Sequence, residues 1–216
     1  MDGMLFNPKS WPLLGLLAVV AMAGTGCQSA QPVSVRRLVN HQAMVDFSGL
    51  KSPEHFDVVK AEAAVPASWP AQAVKRGPMY TDMQWRSPSG TAAVGVAHVR
   101  MPLPLSARTL VWFAKSQYSK QSDDGRLIGQ WTDSLGRWWF EAENNKYHVR
   151  GYALVRGFNA WIVYFGSKAG YPPDMAELSL AARCVETFIP DPKRPTRAPS
   201  PQLVDDDASA KTAAAN

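Results

Sequence analysis

Cysteine is nearly absent from this chain of 216 residues, which carries only Cys27 and Cys184. Two cysteines cannot staple a disulfide scaffold or build a cysteine-rich zinc site, so stability has to come from a buried apolar core. Long apolar runs are missing too. The longest, residues 13–23, is 11 residues and is interrupted by Gly15, well short of the roughly 18 to 20 that a spanning helix needs. A polytopic helical membrane protein is thereby excluded. Charge of one sign is scarce: 23 Lys plus Arg face 18 Asp plus Glu, and no basic run exceeds the pairs Arg36-Arg37 and Lys75-Arg76. A surplus of five is no nucleic-acid stripe, and no nucleic-acid partner is expected. The sharp catalytic signatures are also lacking: no G-x-G-x-x-G, G-x-x-x-x-G-K-[ST], H-E-x-x-H, C-x-x-C or G-x-S-x-G occurs.

Apolar residues make up 46% of the chain, which is ample for one globular core and argues against disorder throughout. The N-terminus reads as an export address. Lys9 precedes the apolar run, and the small residues Gly24-Thr25-Gly26 lead to Cys27, the layout of a secretory signal peptide over residues 1–26. This junction resembles a bacterial lipobox, which implies diacylation of Cys27 and anchoring in the cell envelope. Gly24 stands where such a motif usually has Leu, and the rival is a cut after Ala21-Met22-Ala23. With that cut, Cys27 and Cys184 could pair in an oxidising compartment. Gln28, following the cysteine, favours the outer over the inner membrane by the sorting pattern of such lipoproteins.

Residues 27–52 are polar without a clear period and read as a tether with one short helical turn. Residues 191–216, with Pro192, Pro195, Pro199, Pro201 and Asp205-Asp206-Asp207, read as a disordered tail. Between them, residues 53–190 form the domain. Met79 to Arg86 alternates as a strand; Ser87-Pro88-Ser89-Gly90 turns; Thr91 to Met101 returns as a strand apolar on both faces, which requires cover on both sides. Ser106 can cap a helix over 107–120 with a stripe of Leu110, Val111, Ala114 and Tyr118. Four more strands, 127–132, 138–143, 147–156 and 160–166, are separated by tight turns and predict an antiparallel meander. Pro172-Pro173 opens a last helix from Asp174 to about Ile189, with Met175, Leu178, Ala182, Val185 and Ile189 as its stripe. The expected fold is α+β: an antiparallel sheet of about six strands flanked by helices, an α/β/α sandwich.

The run Val65-Pro66-Ala67-Ser68-Trp69, followed by hairpin, helix, meander and a closing helix near Phe188, resembles the PsbP-like superfamily over about residues 56–190. That resemblance implies an α/β/α sandwich acting as a non-catalytic binding or assembly module. It carries over no binding residue.

Candidate chemistry is thin. His148 with Glu141 and Glu143 is the best metal constellation, but zinc or manganese needs three or more converging ligands, and a solvated strand face is the expected reading. His98, on a strand apolar on both faces, reads as a satisfied core histidine; His41 falls in the tether. Asp123-Asp124 reads as a helix-to-strand loop rather than a calcium site. No cofactor and no metal is expected. Aromatics are the anomaly. Trp112 lies opposite Leu110 on its helix, Trp139 alternates with Glu141 and Glu143, and Arg150, Tyr152 and Arg156 share one strand face. These five are the candidate binding surface, a platform for sugar or peptide. The expected function is therefore a non-enzymatic, lipid-anchored envelope module binding a protein or glycan partner. The alternative is an envelope hydrolase or metal-dependent enzyme using His98 or His148.

Overall fold

A computed structural model of the protein describes residues 34–112 and 124–190. Cys27 and the segment read as a signal peptide, residues 191–216 read as a tail, Asp123, and residues 113–120 of the helix expected after Ser106 lie outside the described residues.

The chain opens with α1 (Val35–Gln42), followed by β1 (Glu54–Phe56), β2 (Ala61–Ala63), β3 (Lys75–Arg76), β4 (Tyr80–Arg86) and β5 (Ala92–Arg100). A helix, α2, begins at residue 107 and is described to 112. Then come β6 (Arg126–Thr132), β7 (Trp138–Glu143), β8 (Tyr147–Arg156), β9 (Asn159–Lys168), α3 (Met175–Glu186) and β10 (Ile189–Pro190). The fold is α+β. Seven antiparallel strands in the order β3-β4-β5-β9-β8-β7-β6 make the main sheet, and β1-β2-β10 make a small one. The main sheet has one strand more than the sequence predicts, the two-residue edge strand β3.

Strand β5 is buried along its whole length except Arg100, as residues apolar on both faces require. On one face Val94, Val96, Trp161 and Val163 pack under α3, α1 and the small sheet. On the other, Ala97, Val99 and Ile162 pack under Ala107, Leu110 and Val111 of α2. Helices thus cover the sheet from both sides. Gly95 is needed in this stack, because a Cβ there would meet the Tyr164 ring at 2.6 Å.

Helix α3 starts where Asp174 caps it, accepting from the backbone N–H of Ala176 at 2.8 Å and of Glu177 at 3.2 Å. It stops three residues before the sequence suggests. Thr187 donates its hydroxyl to the Cys184 carbonyl and accepts from the Ala64 N–H, which turns Ile189 and Pro190 out to pair with β2. The buried stripe is Ala181, Cys184, Val185 and Phe188, and Met175 stands exposed. Cys184 is therefore central to that face, not at its edge.

The segment read as a tether is the larger correction. Leu38 and Gln42 of α1 are buried, one turn-pair apart on a single face. The Gln42 amide donates to the Thr187 carbonyl at 2.6 Å, His41 pairs with Glu186 at 2.8 Å, and Asp46 pairs with Arg183 at 2.6 Å. Leu38 enters the core with Val35 and Leu50 packed against it, and the polar contacts of His41, Gln42 and Asp46 fix the segment; its few apolar residues are spread among polar ones, so the segment reads as a tether.

Candidate functional site

Helix α3 runs over β5 and β9 and reaches Tyr152 of β8 through its Val185 carbonyl, while Trp131 of β6 and Arg150 of β8, on the same face at the β6–β8 flank, stay exposed. What lines this flank follows from strand alternation. Trp131 of β6, Trp139 of β7, and Arg150 and Tyr152 of β8 point to it, because Trp131 is the register partner of Trp139 and Trp139 that of Tyr152.

The rings of Trp131 and Trp139 are stacked with centroids 5.9 Å apart and planes within 4°. The Arg150 guanidinium lies 5.0 Å from the centroid of Trp131 and 5.5 Å from that of Trp139, within cation–π reach of both. Arg150 is exposed and takes part in no salt bridge among the described residues. Trp131 is 37% exposed. The flank continues through Glu141, whose carboxylate accepts from the His148 Nε2–H at 2.8 Å, and through the Arg126–Glu143 ion pair.

Beneath this surface sits a second arginine. Arg137 is almost fully buried and donates to Asp133 and to Glu186, each at 2.6 Å. Its guanidinium lies 5.0 Å from the Trp139 ring and 4.7 Å from the Tyr152 ring. Burial opposes its charge, but Tyr152, Glu186 and Asp133 outweigh that and raise its pKa further. Asp133 likewise feels burial first, yet the Trp139 N–H at 2.8 Å and Arg137 hold its carboxyl below the usual range. The Asp133 side chain also accepts from the backbone N–H of Leu135 and Arg137, and Gly136 takes φ 83° to close the loop. This cluster fixes the tilt of Trp139 and so the plane on which Trp131 stacks.

The five residues proposed from sequence part company here. Trp139 is buried and Tyr152 is fully buried, its hydroxyl donating to the Val185 carbonyl at 2.6 Å. Burial pushes the Tyr152 phenol well up. Both are supports for a surface and not its contact groups. Arg156 is half-buried and donates to the Pro190 carbonyl at 3.4 Å. Trp112 is 54% exposed, but α2 packs on the opposite face of the sheet, so it cannot share a site with Arg150. Only Arg150 remains at the surface of this flank. Trp131 was missed as a contact residue, although strands ending at Thr132 and restarting at Trp138 place it opposite Trp139 by hairpin symmetry. Arg137 carried no local signal, since its partner Glu186 is 49 residues away.

The histidines divide similarly. His98 is buried, bonded to Asn159 at 3.0 Å and packed on Trp161, with burial pulling its pKa down; no carboxylate faces it. His148 has Glu141 beside it. Among the described residues no three His, Cys, Asp or Glu side chains converge as a metal site would need. Asp124 accepts from the Asn145 N–H at 2.8 Å. Cys184 is buried, and its thiol is pushed up to about 12. No helix among the described residues is long and apolar enough to cross a membrane.

Chemically, an exposed indole stacked at one edge and a guanidinium with unused donors suit a ligand offering a flat apolar face beside a carboxylate, phosphate or hydroxyl group. No protein-family model and no curated protein matches the chain. Among solved structures it is similar to a crystal structure from Bacteroides thetaiotaomicron, at 12% identity over 68% of this chain and 50% of that one, with a TM-score of 0.35. The chain thus spans about half the length of that structure, a likeness too distant to assign a function.

Proposed function

We propose that the protein is a non-enzymatic binding or assembly module of the bacterial envelope, anchored through a lipid on Cys27, that holds an envelope protein or glycan partner on its β6–β8 flank. The observation that carries this reading is the exposed Trp131–Arg150 pair, fixed from below by Trp139 and Arg137. A pre-set aromatic and a guanidinium lose little conformational freedom on contact, which favours binding. The PsbP-like kinship belongs to the same proposal; a sheet covered by helices on both faces and the Val65–Trp69 run support it. The pairing of His148 with Glu141 supports the hydrolase alternative, as a base held by a carboxylate, but among the described residues no nucleophile is bonded to His148.

The test is crosslinking in whole cells with a photoreactive side chain at position 131, and at Tyr171 as a distant exposed control. A discrete adduct from position 131 only, reduced at least several-fold by Arg150→Ala, is the expected result. Co-sedimentation of the purified protein with peptidoglycan sacculi covers the case of a glycan, with the same dependence on Arg150. No adduct and no saturable sedimentation ends this reading of the flank.

A further inference from the structure

One end of the main sheet collects features that the binding flank does not use. Register places Arg100 opposite Asn159, and Asn159 opposite Arg156. The Met101 N–H donates to the Phe158 carbonyl at 2.7 Å, and the Arg100 N–H donates to the Met79 carbonyl at 2.8 Å. Arg76, the last residue of β3, pairs with Thr81 at the same end. Lys60 precedes Ala61, the register partner of Pro190, and Pro190 accepts from Arg156. Here Phe158 is 54% exposed and Leu103, two residues past Met101, is equally bare. Lys60, Arg76 and Arg100 are exposed and form no salt bridge among the described residues.

The described chain leaves at this end through Pro190. Helix α1 lies against β10, its last residue Gln42 donating to the Thr187 carbonyl. The 33 residues before Ser34 contain the 11-residue apolar run and Cys27. Of the acidic groups nearby, Asp133 is held by Arg137 and Asp57 by His55.

We infer that this end is a membrane-contact face, with Phe158 and Leu103 entering the headgroup layer of an anionic phospholipid bilayer while Lys60, Arg76, Arg100 and Arg156 meet its phosphates. Two apolar loop tips ringed by cations are what an interfacial contact requires, the tips supplying apolar burial and the cations attraction to an anionic surface. The contact presents the Trp131–Arg150 flank sideways from the membrane. It stands whether or not Cys27 is lipidated, so it can fail or hold independently of the proposed function.

The test compares two positions of matched exposure, Phe158 at 54% and Tyr171 at 55%. In the full chain with Cys27→Ser, Phe158→Cys or Tyr171→Cys is labelled with an environment-sensitive fluorophore; Cys184 is buried and does not compete. Because the probe and the leader are the same in both proteins, only position differs. With vesicles of neutral phosphatidylcholine containing about one third phosphatidylglycerol, the label at 158 should brighten several-fold and shift to the blue while that at 171 stays unchanged. Lys60→Gln with Arg100→Gln, or 0.5 M salt on the unaltered charges, should reduce the response several-fold. Equal responses at both positions, or none at 158, overturns the inference. A response at 158 that persists in purely neutral vesicles and in high salt overturns the anionic bilayer as its occupant.

Discussion

Two carboxylates, Asp133 half-buried and Asp82 fully buried, behave in opposite ways. Asp133, in the β6–β7 turn, is held by a guanidinium, an indole N–H and two backbone N–H groups, and its pKa is lowered. Asp82, on β4, is more deeply buried and receives only neutral side-chain donors: the Tyr164 hydroxyl at 2.8 Å and the Gln84 amide at 2.7 Å. Burial dominates there and its pKa is raised, despite some relief from Lys75. Burial taxes both. At Asp82 two neutral donors lessen the penalty of burial without reversing it, whereas at Asp133 an indole N–H, backbone N–H groups and the Arg137 guanidinium together outweigh it. Tyr164 shows the same environment from the other side, its phenol raised far by burial and by Asp82.

The largest effect should come from removing the cation that separates the two regions. Arg137→Met leaves Asp133 and Glu186 in place without their partner, and should lower stability by about 3–5 kcal/mol. Chemical denaturation reads this directly. A loss under about 1 kcal/mol would mean that Asp133 is stabilised by its backbone donors alone, and the contrast with Asp82 would collapse.

A smaller loss is expected from Tyr164→Phe, about 1–3 kcal/mol, because Asp82 keeps the Gln84 amide while one donor disappears. The same measurement on the two variants ranks the regions. Equal losses would put the ion cluster and the neutral cluster on one footing.

The finest discrimination is by pH. For Asp82 the folded pKa lies above the ordinary value of 3.8, so the unfolded chain releases its proton first; its stabilising contribution is whole below that value and is lost as pH rises to the folded pKa. For Asp133 the folded pKa lies below 3.8, so its contribution is whole above that value and is lost as pH falls. Melting curves of wild type, Asp82→Asn and Asp133→Asn from about pH 3 upward should therefore diverge. The wild-type advantage over Asp82→Asn shrinks with rising pH, and that over Asp133→Asn grows. Slopes of the same sign would break the comparison.

Much of this architecture was legible from local pattern. Alternation in Met79 to Arg86, turn chemistry at Ser87–Gly90 and Asn144-Asn145, and the doubly apolar β5 gave the order and direction of the strands, with β7 and β8 correct to the residue. The candidate site was legible only in part. Alternation correctly put Arg150, Tyr152 and Arg156 on one face, but period two says which way a side chain points and not what covers it. Tyr152 lies beneath Val185 while Arg150, two residues before it, lies in water. The docking of α1 was illegible for a related reason. Apart from Leu38 and Val35, which pack on the core, its contacts are hydrogen bonds and ion pairs with residues about 140 positions away, and a mostly polar segment looks the same whether it is solvated or paired.

The sequence by itself determined an α+β chain with an antiparallel meander, a last helix starting at Asp174, and too little cysteine for a disulfide scaffold. These follow from nearest-neighbour periodicity, caps and composition, which act over a few residues. The tertiary structure alone decided that α3 covers β5, β9 and Tyr152 of β8 but not Trp131 and Arg150, that Trp131 faces water while Trp161 donates to Val59 inside, and that Arg137 rather than Arg150 is the buried cation. Those outcomes depend on where one layer ends above another, a long-range fit that no local pattern encodes.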